Sequence, residues 1–118
     1  MRDHRKLKAF ELSDLLVAEI YRATASFPQE ERFGLKSQMR RAAVSVPANI
    51  VEGCGRRTSK DFLHFLSNAF ASLRELGYFI TLAARLEYLS APVARELEKR
   101  HTDTICRLRN LIKSIEKD

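Results

Sequence analysis

The sequence has no tryptophan and, in 118 residues, only three prolines, four glycines and two cysteines. So little proline and glycine argues against a fold of many turns. With 45% apolar and 31% charged residues, the composition instead favours long helices and short loops. No apolar run approaches the roughly 18 residues of a membrane span, and the opening MRDHRKLKAF lacks the apolar stretch of a secretory leader. A cytoplasmic protein without membrane association is expected. Cys54 and Cys106 are too few and too scattered for a disulfide framework, and in a reducing compartment they read as free, small hydrophobes. The length suits one domain, residues 1–118, that buries roughly two thirds of its unfolded surface without a metal or disulfide.

Acidic residues are also scarce in one region. Between residues 36 and 60, Lys36, Arg40, Arg41, Arg56, Arg57 and Lys60 face only Glu52, and this stretch holds most of the net charge of +6. A concentrated positive field favours nucleic acid, an anionic surface or an acidic protein as partner.

Four amphipathic segments follow from 3.6-residue periodicity. The first, about residues 8 to 26, aligns Phe10, Leu16, Val17, Ile20, Thr24 and Phe27, and Phe27-Pro28 ends it. The second, about 35 to 54, aligns Leu35, Met39, Ala42, Ala43, Val46 and Ile50. It contains Pro47, which removes a backbone donor and crowds the Ala43 carbonyl at a usual cost of about 3 kcal/mol. Because the apolar repeat keeps phase across it, a kink at Pro47 is expected rather than a break. Gly53 and Gly55 offer left-handed geometry to close this helix, and Thr58 or Ser59 is placed to cap the next.

The third segment, about 59 to 87, centres on Phe62, Leu66, Ala69, Leu73, Leu76 and Ile80. Leu63, Phe70 and Gly77 flank this line on one side, and Phe65, Phe79 and Ala83 on the other. Its apolar arc of roughly 200° exceeds the usual value of about 100°, implying more than one neighbour. Ser90 is a candidate cap for the fourth, which carries Val93, Leu97, Leu108, Leu111, Ile112 and Ile115. This pattern predicts an all-α, antiparallel up-down-up-down four-helix bundle. Behind the second helix, Val44, Ala48 and Val51 form a separate apolar line. With Leu63 and Phe70 of the wide third helix, they predict a self-association surface.

On the second helix, Gln38, Arg41, Ser45, Asn49 and Glu52 recur at three- and four-residue steps as a polar ladder, best read as an interhelical hydrogen-bond network. Glu98 to His101 and Asp61 to His64 have Glu/Asp-x-x-His spacing. His64, however, falls on a polar side and no second inward Glu-x-x-His exists, so no metal, cofactor or catalytic residue is expected. Cys54 has no histidine partner for nucleophilic chemistry. EGCGRRTSK joins helix to helix and lacks the arrangement of a phosphate loop. No aromatic stacking surface or groove-reading motif is evident.

The ordered series FPQEERFGL, RRAAVSVPANIVEG and GRRTSKDF within residues 27 to 89 is more specific than any of these patterns. Through it the chain resembles a bacterial family of four-helix-bundle proteins encoded in intervening sequences of 23S ribosomal RNA genes, related to the accessory protein of diversity-generating retroelements. The resemblance implies a hallmark set of Arg41, Ser45, Pro47, Asn49, Glu52 and Gly53. It also implies a homopentamer forming a basic barrel, with nucleic-acid binding and assistance to a reverse transcriptase among the accessory relatives. Phe10 stands where relatives often carry tryptophan, and Lys36 where a small hydroxyl residue is common.

The functional expectation is a non-enzymatic oligomer that contacts structured RNA or DNA through phosphates, chiefly with Arg40, Arg41, Arg56, Arg57 and Lys60. Sequence specificity should be weak and salt dependence strong. The alternative is a scaffold whose basic surface docks an acidic protein such as a reverse transcriptase.

Overall fold

The structure, a computed structural model, describes residues 2–117. Four helices account for most of it: α1 (Lys8–Thr24), α2 (Leu35–Cys54), α3 (Ser59–Arg85) and α4 (Ala91–Glu116), with single 3-10 turns at His4–Lys6 and Gln29–Glu31. Each helix packs on its neighbours in sequence and α4 closes back on α1, while the diagonal pairs α1–α3 and α2–α4 make no close backbone approach. This is the up-down-up-down bundle predicted from the apolar stripes, drawn out to 45 × 24 × 20 Å.

Each helix begins or ends for a local reason. The Thr58 hydroxyl accepts from the Asp61 N–H at 3.1 Å and starts α3, and Ser90 does the same for Val93 at 3.4 Å on α4. The α1 chain stops where the Phe27 N–H bonds the Thr24 carbonyl and Pro28 turns away in extended geometry. Helical geometry runs uninterrupted through Pro47, which is itself buried on the core face.

Two expectations need correction. No described glycine has a positive φ, and Gly55 sits at −81°, so neither Gly53 nor Gly55 closes α2 by left-handed geometry. The end of α2 is satisfied instead by the Arg56 N–H on the Gly53 carbonyl and the Arg2 N–H on the Cys54 carbonyl. Gly53 serves packing: a Cβ there would lie 2.9 Å from the Phe62 ring and 3.0 Å from the Phe65 Cβ. On α4, Val93 is exposed and Ala94 takes the core position. The inward row there runs 94, 97, 101, 104, 108, 111 and 115, a three–four alternation that places His101 and Thr104 among apolar side chains.

The core is otherwise as the periodicity predicts. Leu16, Ile20, Met39, Val46, Ile50, Phe62, Leu66, Leu73, Leu76, Ile80 and Leu108 are essentially inaccessible. The flanks of α3 divide between neighbours. Phe65 meets Gly53 of α2, Gly77 meets His101 of α4, and Phe70 lies under the Arg109 guanidinium at 5.8 Å.

Candidate nucleic-acid interface

The turn before α2 is built around the Glu31 carboxylate. Its Oε1 accepts the Leu35 N–H at 3.0 Å, satisfying a helix-start donor that no N-cap side chain serves. Its Oε2 accepts the Tyr88 hydroxyl at 2.9 Å, tying this turn to the one before α4. Both contacts favour the ionised form, so the Glu31 carboxyl is held below its ordinary range and the Tyr88 phenol is pushed up. A Cβ on residue 34 would stand 2.6 Å from Glu31 Oε1, so glycine leaves that carboxylate its place. Phe27 is buried against Tyr88, with ring centroids 5.3 Å apart. The FPQEERFGL series is thus mostly a device for holding one turn, and Phe33 is the exception at 85% exposed.

Phe33 lines a groove of about 560 Å³ between α1 and α2, together with Tyr21, Arg32, Lys36, Ser37, Arg40, Arg41 and Val44, with no carboxylate in its wall. Arg40 is already engaged. Its Nε donates to the Thr24 hydroxyl at 2.9 Å, its Nη2 donates to the Tyr21 carbonyl at 3.0 Å, and its guanidinium stacks 4.3 Å from the Tyr21 ring centroid. It thereby serves the C-terminal end of α1, where a cation is favourable. Arg32, Lys36 and Arg41 form no ion pair among the described residues. Phe33 is an exposed ring beside these cations, and its signal in the sequence was a large apolar residue in a turn that sends Phe27 and Leu35, but not Phe33, into the core.

The other predicted cations lie at the opposite end of α2, roughly 20 Å away along the helix axis. Arg56 pairs with Glu52 one turn back and stacks 4.6 Å from the Phe65 centroid, whereas Arg57 and Lys60 are exposed and unpaired among the described residues. In a single chain the five residues therefore form two clusters, not one. Arg2, which sequence reasoning missed, joins the second. Its N–H reaches Cys54, and its guanidinium lies 4.4 Å from the Phe62 centroid. Arg5 nearby is neutralised by Asp3, which accepts from its guanidinium at 2.9 and 3.1 Å and from its backbone N–H at 3.1 Å and is held below the usual carboxylate range.

The polar ladder is partly realised. Ser45 Oγ and Ser72 Oγ are 2.9 Å apart across α2 and α3, and Asn49 donates to the Ser45 carbonyl at 2.8 Å and to its hydroxyl at 3.0 Å. Gln38 and Arg41 take no part in those bonds. His101 Nε2 lies 2.7 Å from the Leu73 carbonyl, an acceptor, so that nitrogen carries the proton. His64 is exposed, and no group of three or more metal-ligating side chains gathers among the described residues. Cys54 is buried and Cys106 exposed, both free. Burial pushes the Cys54 thiol up, away from a reactive thiolate.

Val44, Ala48 and Val51 are exposed along the outer side of α2, with Val44 at 41% and Val51 at 39%. Phe70, and Leu63 one heptad before it, are half-buried toward α4 instead, so these five residues do not share one surface.

Residues 5–110 match the family described as 23S rRNA-intervening sequence protein. The chain belongs to that family. The match spans Arg40, Arg41, Arg56, Arg57 and Lys60 and the whole series of motifs through which the resemblance was read, but not Arg2. Among solved structures, the chain is similar to a protein of unknown function from the S23 ribosomal protein family of Bacteroides thetaiotaomicron VPI-5482. The TM-score is 0.81 at 23% identity, over 89% of this chain and 95% of that one. At that identity the likeness establishes the fold. No curated protein matches the chain. No helix among the described residues is long and apolar enough to cross a membrane.

Proposed function

We propose that this member of the 23S rRNA-intervening sequence family is a non-enzymatic, self-associating bundle that grips RNA or DNA through its phosphates with little sequence preference. The observation that carries this reading is the carboxylate-free groove lined by Arg32, Lys36, Arg40 and Arg41. Such a surface attracts a polyanion and has no internal counter-charge to release. Arg57, Lys60 and Arg2 give a second point of attachment. The exposed line Val44, Ala48 and Val51 supports self-association, which would multiply both clusters around a symmetric particle, a pentamer by family resemblance. The non-enzymatic reading draws support from the occupied polar groups: His101 is bound to a backbone carbonyl, and the Cys54 thiol is suppressed by burial.

The test is binding of a labelled, structured RNA followed by anisotropy as salt rises from about 50 to 200 mM, where a protein making several phosphate contacts loses orders of magnitude in affinity. Affinity that stays flat with salt, or that survives joint replacement of Lys36, Arg41, Arg57 and Lys60 by alanine, would remove the phosphate-binding reading. An acidic protein partner, such as a polymerase, would then be the better assignment for the basic surface.

A further inference from the structure

The groove holds more than charge. Phe33 is the most exposed large apolar side chain among the described residues, at 85% against 56% for Tyr78 and 48% for Leu15. The turn that carries it is braced around the Glu31 carboxylate, which accepts the Leu35 N–H and leaves no room for a side chain at Gly34. A ring this exposed contributes little apolar burial to folding. The ring is flanked by Arg32, 5.0 Å from its centroid, and by Lys36 and Arg41 in the same groove wall.

We propose that Phe33 is a stacking platform for an unpaired base of a nucleic-acid strand whose phosphates lie on Lys36 and Arg41, an inference that rests on the nucleic-acid reading above. A single nucleotide offers both chemistries that this site presents, a flat π-face for the ring and an anion for the cations. Lys36 and Arg41 both line this groove, about 7.5 Å apart along the helix axis, so a strand lying in it meets both. The base must be unpaired, because a base stacked within a duplex does not expose its face. Val44 belongs both to this groove and to the line that supports self-association, but covering Phe33 itself with a second copy would desolvate four cations that have no carboxylate in the groove.

The test compares a hairpin RNA carrying a single-stranded loop with a blunt duplex of equal length. Phe33→Ala is expected to weaken loop binding about tenfold, within the range for losing one aromatic–base stack, and to leave duplex affinity unchanged. Lys36→Ala with Arg41→Ala should weaken both. Because the chain has no tryptophan, Phe33→Trp introduces a single indole, whose emission should be quenched by the hairpin and not by the duplex. Unchanged loop affinity in Phe33→Ala, or an indole insensitive to bound hairpin, overturns the stacking platform while leaving phosphate binding in place. An indole whose emission shifts with protein concentration alone would assign Phe33 to contacts between copies and also overturn it. Failure of the wild-type protein to bind either RNA would instead remove the broader reading, and this one with it.

Discussion

The Tyr88 hydroxyl donates to the Glu31 carboxylate across 2.9 Å, joining the turn that precedes α2 to the turn that precedes α4. The two residues are far apart in sequence, and neither belongs to a helix core. Their bond fixes the orientation of the turn that carries Phe33, with the second carboxylate oxygen fixing the start of α2.

This contact predicts a pH dependence with a definite sign. Glu31 has its carboxyl lowered from 4.5 by the Leu35 N–H first and the Tyr88 hydroxyl second. Its contribution to stability is therefore complete above 4.5 and is lost as pH falls through the lowered folded value. Tyr88 is raised from 10.0 by the same bond, so its contribution is present below that value and is lost as pH rises through the raised one. Urea unfolding across the acid range should show Glu31→Gln less stable than wild type at neutral pH and flatter below pH 4.5. An acid limb identical to wild type would show that the carboxylate does not couple to folding.

Glycine replacements should separate by position. Gly53→Ala drives a Cβ into the immobile Phe62 ring, and the expected loss is roughly 1–2 kcal/mol despite the better helix propensity of alanine. Gly55→Ala meets nothing closer than 3.5 Å at an ordinary φ of −81°, and should be neutral or stabilising by about 0.4–1 kcal/mol. Chemical denaturation of the two variants side by side checks the contrast.

Gly77 and His101 should be coupled. A Cβ at residue 77 would lie 2.8 Å from the His101 ring, so Gly77→Ala is expected to destabilise the wild-type protein. In a His101→Ala background the obstruction is gone, and the same change should become stabilising by up to about 1 kcal/mol through helix propensity. A double-mutant cycle with no interaction energy would refute the contact.

Arg40 and Arg41 are adjacent in sequence but should fail in different assays. Arg40→Ala removes the bonds to Thr24 and the Tyr21 carbonyl and should lower stability by about 1–2 kcal/mol. Arg41→Ala should leave stability within about 0.5 kcal/mol. It should weaken RNA binding and reduce the logarithmic salt slope by about one. Thermal melts and salt-titrated anisotropy on the same two proteins decide between these roles.

The apolar stripes of Leu35 to Ile50 and Phe62 to Ile80 were legible in the sequence because helical periodicity is a local property, repeated often enough to survive a proline at 47. The Ser90 cap was legible for the same reason, since hydroxyl and amide sit three residues apart, whereas Thr58 and Ser59 both suited the start of α3 and the structure selected Thr58. Val93 was misplaced because inward and outward rows diverge by a single residue near a helix start, and packing against α3 and α1 selects between them.

What only the tertiary structure decided is which residues meet across elements. It brought Arg2 to the end of α2, drew Arg40 away to α1 and split five cations into two clusters. It joined Glu31 to Tyr88 and turned Gly53 from a helix terminator into a packing residue. Composition and order alone determined an all-helical chain with a basic middle and the motif series of its family. The juxtapositions depend on how four separately legible helices rotate and slide until large rings such as Phe62 find small residues opposite. That depends on distances between chain segments, which no local pattern contains.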